Sequence, residues 1–204
     1  MTEVKTRNLT TLAKQVYEAN KAKGFWDNER NVGEIFMLII SEAAEALEGH
    51  RKGKFADLAG FDERLDLLTT SINLAIEQGS TKDEYFAMCF KNYIKDSFED
   101  ELADVVIRCL DFIGSRDYCI DEPEIDTLFS DNVGEMLCDV CEYIISARTA
   151  IEQRCIDEAV EERLQVVINE CYSIAAKLNF DLDRHIELKL KYNATRPYKH
   201  GKKY

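Results

Sequence analysis

Proline, glycine and histidine are scarce in this chain of 204 residues, which holds 2 Pro, 9 Gly and 3 His. So few turn formers exclude a sandwich or barrel of many short strands, and they leave nothing for a low-complexity linker. Long hydrophobic runs are missing too. No segment is long enough to span a membrane, and no signal peptide precedes the first amphipathic stretch. Basic charge is outweighed, with 26 Lys and Arg against 39 Asp and Glu, a formal net charge of -13. Such a balance argues against nucleic acid or an anionic membrane as partner. Paired metal-binding cysteines are also absent. Of 7 cysteines, only Cys138 and Cys141 form a C-x-x-C, and a zinc site needs a second ligand pair. An odd number of thiols fits a reducing cytoplasm, with Cys138 and Cys141 expected as buried thiols.

What is present is helix. Hydrophobic residues make up 46% and charged residues 32%, and a chain of this length buries a core without staples. Apolar spacing predicts helices over 3–23, 32–51, 61–78, 82–95, 98–113, 131–148, 156–178 and 181–193, with Pro197 barring continuation of the last. The run Gly79-Ser80-Thr81-Lys82-Asp83 reads as a C-cap followed by an N-cap. Residues 32–51 carry an apolar arc broad enough to be buried on more than one side. The expected fold is an all-α antiparallel helical bundle with a four-helix-bundle core, in one domain over 1–204. Between the first two helices, FWDNERN carries the single tryptophan, Trp26. This mixture suits either a ligand rim or a hydrophobic lid on the bundle.

Two segments hold acids where the surrounding residues are apolar, MLIISEAAEAL and ELADVVIRCL. Three helical residues turn the chain by about 300°, so Glu42 and Glu45 share a face, as do Glu101 and Asp104. Glu48 lies about 120° from Glu42 and belongs less well to that face. Each pair is either a solvated face or, if turned inward, a group that needs a partner or a metal. Carboxylates without histidine favour Mg²⁺ or Mn²⁺, and the missing Glu-x-x-His motif argues against a di-iron centre.

The blocks FWDNERNVGE, SEAAEALEGHRKGK, FEDELADVVIRCLDFIG and HIELKLKYNATRPYKHGKKY, in this order and covering roughly 85 of the 204 residues, resemble the MazG-like branch of the all-α nucleoside triphosphate pyrophosphatases. That superfamily includes the dimeric dUTPases and dCTP pyrophosphatases. The resemblance implies a Mg²⁺-dependent enzyme that cleaves NTPs or dNTPs between the α- and β-phosphates, in nucleotide-pool sanitation. It implies metal ligation by Glu42, Glu45, Glu101 and Asp104, with Glu42 or Glu45 also polarising the attacking water. Ser41 stands where many relatives carry a further glutamate. Lys189, Asn193 and Arg196 match the family's K-x-x-x-N-x-x-R and are expected on phosphate oxygens. Trp26 falls where relatives contact the nucleobase. The basic tail at 194–204 includes Tyr198, Lys199 and His200, which follow the same motif or fray. A homodimer, or an oligomer of pseudo-dimeric chains, is implied as well. The competing class is a non-catalytic helical bundle that binds nucleotide or regulates.

Two departures from the family suggest a duplication. Between the E-x-x-E and E-x-x-D blocks, from Glu45 to Glu101, 55 residues intervene, and residues 115–178 are extra. Within them Asn132-Val133-Gly134-Glu135 repeats Asn31-Val32-Gly33-Glu34, and QVVINEC echoes DVVIRCL. Projection places Tyr143, Ser146, Glu162 and Gln165 at the positions of Glu42, Glu45, Glu101 and Asp104. These residues are therefore either a degenerate second copy or an unrelated helical insertion.

Overall fold

A computed structural model describes residues 8–76, 82–128 and 130–201. The helices are α1 (Leu9–Ala22), α2 (Val32–Arg51), α3 (Leu58–Ile76), α4 (Lys82–Tyr93), α5 (Phe98–Arg116), α6 (Val133–Glu152), α7 (Asp157–Leu178) and α8 (Leu182–Thr195), followed by a 3₁₀ turn at Tyr198–Gly201. No strand occurs among the described residues, and no helix there is long and apolar enough to cross a membrane. The expected caps at 79–81 and the first residues of the expected 3–23 helix lie outside the described residues.

The centre is α5, which packs against α1, α2, α7 and α8. Its sequence explains both the helix and its place. Ser97 caps it by accepting the Asp100 N–H at 3.2 Å. Glu99, Asp100 and Glu101 then set negative charge in the first turn, where the helix dipole favours it. Val105, Val106, Cys109, Leu110, Phe112 and Ile113 are fully enclosed, and truncating Phe112 to alanine would cost about 3–5 kcal/mol. Asp117, with φ of 56°, ends the helix in the left-handed conformation.

Helices α2, α5, α6 and α7 form a four-helix bundle in which α2 packs on α5 and α6, and α7 packs on α5 and α6. The broad apolar arc of α2 is thus buried against two neighbours. Phe36 meets Phe112 edge-on at 5.1 Å, while Gly49 lies at the start of α5, where a Cβ would be 3.0 Å from Phe98 N. The two helices therefore run antiparallel, and at Gly49 they approach closely enough that a side chain would crowd the Phe98 backbone.

The α2–α6 contact is reciprocal. Gly33 faces the Arg148 side chain and Gly134 faces that of Leu47, at 3.8 and 3.7 Å from the Cβ position, and the step from Gly33 to Leu47 along α2 equals that from Gly134 to Arg148 along α6. Asn31 and Asn132 cap these helices identically, each accepting from the glutamate N–H three residues on at 3.2 Å.

A separate cluster of Phe61, Phe86, Cys89, Phe90, Ile94, Leu188 and Tyr192 joins the α3–α4 hairpin to the outer side of α8. Tyr192 stacks on Phe90 at 4.4 Å. This leaves α8 held between α4 and α5.

The thiols correct one expectation. Cys138 is exposed and Cys141 only half-buried, because the buried stripe of α6 runs through Val133, Met136, Leu137, Val140, Ile144 and Ala147. Position 138 points away from that stripe.

Candidate functional site

A cleft of about 260 Å³ opens between α2, α5, α8 and the α1–α2 loop. Glu42, Glu45, Glu101, Asp104, Lys189, Asn193 and Arg196 all line it, so residues from three distant sequence blocks meet in one place. Trp26 is not among the lining residues, whereas its neighbour Phe25 is.

Antiparallel packing of α2 on α5 sets Glu42 opposite Glu101 and Asp104. One carboxylate oxygen from each of these three lies within 4.8 Å of the others. Glu42 and Glu101 are buried, at 5% and 4% exposure. Glu45, one turn on, is exposed at the cleft rim and stands outside that trio. Glu48 turns away to pair with Arg51 at 3.0 Å and Lys52 at 3.1 Å. The Ser41 hydroxyl is spent on the Leu38 carbonyl at 2.8 Å.

Burial makes this cluster electrostatically strained. It raises Glu42, and Asp104 adds to the effect while Arg108 opposes it. Burial pushes Glu101 up to about 9 against the pull of Lys189, with Asp104, Asp100 and Glu42 contributing further repulsion. Asp100, fully enclosed behind the cleft, is raised to about 6, again chiefly by burial. Burial would lower the Lys189 ammonium, but Asp104, Asp100 and Glu101 outweigh it and hold Lys189 above the ordinary lysine value. Negative charge exceeds what the enclosed cations balance.

Three groups were not legible as site residues in the sequence. Arg108 donates from Nε to Glu42 Oε1 at 2.5 Å, and its terminal nitrogen contacts the same oxygen. Asp100 accepts from Lys189 at 2.8 Å. Asp111 accepts the Trp26 indole N–H at 3.0 Å and lies 4.0 Å from Arg30. Together with Asp104 these residues form a polar stripe on α5 at spacings of four, four and three, which is the period of one helix face. That periodicity is the signal that would have exposed them.

Trp26 is a structural hub. Besides its bond to Asp111, it meets Tyr17 edge-on at 5.4 Å, and the Arg30 guanidinium lies over its ring at 5.3 Å. The loop is thereby fixed as a rim, with Phe25 and Arg30 lining the cleft. The basic tail closes over the same loop. Lys199 N–H donates to the Lys23 carbonyl at 2.8 Å, and the Tyr198 hydroxyl donates to Asp27. Gly24 has φ of 84°, and its missing side chain leaves the space that the Tyr198 ring fills. Lys23 also donates to the carbonyls of Ala194 at 2.9 Å and Arg196 at 2.5 Å, which ties the end of α8 to α1.

Chemically, the cleft presents buried carboxylate oxygens on one wall, and Lys189, Asn193 and Arg196 on another. Hard oxygen donors without nitrogen or sulfur suit a Mg²⁺- or Mn²⁺-type ion. Comparison with family models, with curated proteins and with solved structures finds no match to this chain.

Proposed function

We propose that the protein is a divalent-metal-dependent nucleotide pyrophosphohydrolase of the MazG-like type, cleaving a nucleoside triphosphate to the monophosphate and pyrophosphate. One observation carries this reading: the acids of α2 and α5 and the K-x-x-x-N-x-x-R side chains of α8 converge on a single cleft. Solvated helix faces would have no reason to meet.

The donor set fits a hard divalent cation. Glu42, Glu101 and Asp104 would hold it, with Glu45 reaching in from the rim. When bound, such an ion neutralises phosphate oxygens and makes a water more acidic. The chain's own groups then divide the remaining work. Glu45, exposed and outside the trio, is the better placed carboxylate to polarise water, since Glu42 is engaged by Arg108. Arg196 and Asn193, whose side chains bond each other at 3.4 Å, offer donors to phosphate oxygens. For the nucleobase, Phe25 takes the place first assigned to Trp26, because it reaches the cleft and Trp26 holds Asp111 instead.

We also read α6 and α7 as a degenerate copy of α2 and α5. The matched asparagine caps and the reciprocal glycine contacts support it. Each chain would then contain both halves of a pseudo-dimeric bundle and a single site.

The test is purified protein with Mg²⁺ against a panel of NTPs and dNTPs, followed by pyrophosphate release. Release with at least one base is expected, together with its loss in the Glu42→Gln, Asp104→Asn double variant. No release with any base would sink the enzymatic reading and leave a nucleotide-binding bundle.

A further inference from the structure

Lys189 sits where a bundle core rarely admits an ammonium. Its side chain is 6% exposed, and Nζ lies 2.8 Å from both Asp100 Oδ2 and Asp104 Oδ2. A cation so placed is costly unless anions balance it, and here the anions exceed it. Glu42, Asp100, Glu101 and Asp104 bring four negative charges when ionised, while Lys189 and Arg108, the cations paired with them, return two; Glu45, exposed at the rim, stands outside this contacting set. The remainder, minus two, equals the charge of one divalent cation.

The geometry separates the roles of the acids. Asp104 belongs both to the trio within 4.8 Å and to the Lys189 pair. Asp100 belongs only to the pair and does not line the cleft. Its Oδ2 accepts from Lys189 and from the Asp96 N–H at 2.9 Å, while Oδ1 is buried with no partner among the described residues. Asp100 is fully buried, so its place against Nζ is set by the fold and not by solvent.

We infer that Lys189 serves as a built-in cation of the carboxylate cluster, in the place a second divalent ion would take, so that the protein alone binds one divalent cation. Asp100 is the positioning residue that holds the ammonium against Asp104. This rests on the metal reading above and goes beyond it in the number of ions and in the part given to Lys189. Further ions enter with the nucleotide, whose phosphates carry their own charge.

The probe is Mn²⁺ titrated into the full chain without nucleotide, with free Mn²⁺ read by electron paramagnetic resonance. One ion per chain is expected for the wild type. Lys189→Gln removes one positive charge, and the count is expected to rise to two. Asp100→Asn keeps the shape and removes one negative charge, so the count should stay at one while affinity falls roughly tenfold. Two ions on the wild type would overturn the inference and leave the metal site standing, whereas no ion would overturn the metal reading itself. A count of one in Lys189→Gln, or an unchanged affinity in Asp100→Asn, also overturns it. Should circular dichroism show Lys189→Gln unfolded, the wild-type count and Asp100→Asn decide.

Discussion

Where α5 carries Asp100, Asp104 and Arg108 on one face, α7 carries Glu161, Gln165, Asn169 and Ser173 at the same four-residue spacing. The two faces are covered by different things. Over α5 lies α8, which brings Lys189 into contact with Asp100 and Asp104. Over α7 runs an extended strap, residues 118–128, whose backbone N–H groups are collected one after another. Cys119 donates to Glu161 at 2.8 Å, Asp121 to Gln165 at 2.8 Å, Glu124 to Asn169 at 3.2 Å and Asp126 to Ser173 at 2.9 Å. Enclosed carboxylates such as Asp100 need a cation to balance them, whereas a face of two amides, a hydroxyl and the half-buried Glu161 is satisfied here by backbone N–H groups. The polar face of α5 thus borders an open cleft, whereas that of α7 is covered by the chain's own strap.

Breaking this asymmetry should have its largest effect on turnover. Glu101→Gln removes a buried member of the trio, and pyrophosphate release should fall by roughly 10²–10³-fold. Glu162→Gln, at the corresponding place on α7, alters an exposed side chain and should leave the rate unchanged. Comparable losses in both variants would mean that the α7 side also serves the reaction.

The next effect concerns the cover on α5. His185, on α8, is 2% exposed, its Nδ1 is without a partner among the described residues, and its ring meets Phe180 edge-on at 5.8 Å. Burial lowers it to about 4, with Asp181 opposing and Arg184 assisting. Its folded value lies below the unfolded one of about 6.5, so the unfolded chain binds a proton that the folded chain refuses. The stability tied to neutral His185 is therefore complete above about pH 6.5 and is lost as pH falls toward 4, on the order of 3 kcal/mol in all. Glu101 and Asp100 change stability in the opposite sense, being raised, so the informative quantity is a difference. Urea midpoints at pH 7 and pH 4.5 should fall more for the wild type than for His185→Asn. Parallel shifts would show that the histidine does not control the acid response of α8.

How much of this was legible follows from what each element depends on. The helices expected at 32–51 and 98–113, the second running on to Arg116, were readable because their apolar spacing and their asparagine and serine caps are local. Acids in an apolar run drew attention to Glu42, Glu101 and Asp104, but spacing alone left a solvated face open; their convergence depends on the packing of α2 on α5. Arg108, Asp100 and Asp111 were not, since a charge on a helix is ordinarily solvated and only α2, α8 and Trp26 give these three their partners. Trp26 marks the loop whose Phe25 and Arg30 line the cleft, while its own indole N–H is taken by Asp111 far along the chain. The strap was invisible for a stronger reason. Its bonds run from backbone to side chains more than 40 residues away, and no periodicity encodes them.

The smallest effect isolates that strap. Asn169 is 9% exposed, and its Oδ1 accepts both the Glu124 N–H and the Gln165 side-chain amide, the latter at 2.8 Å. Asn169→Leu removes the acceptor while preserving the bulk, which leaves Glu124 N–H to solvent at the strap's exposed edge. The expected cost is about 1–2 kcal/mol in a thermal or urea melt, below the full price of a buried orphan donor. Asn169→Asp keeps an oxygen for the Glu124 N–H and should recover most of the loss, with Glu124 amide exchange slowed again toward the wild-type rate. Mn²⁺ binding should be untouched in both, because the strap covers α7 and the candidate metal ligands belong to α2 and α5. If Asn169→Leu instead weakened Mn²⁺ binding, the two faces of the bundle would be coupled through the α5–α7 contact, and the sealed half would be a control element for the open one.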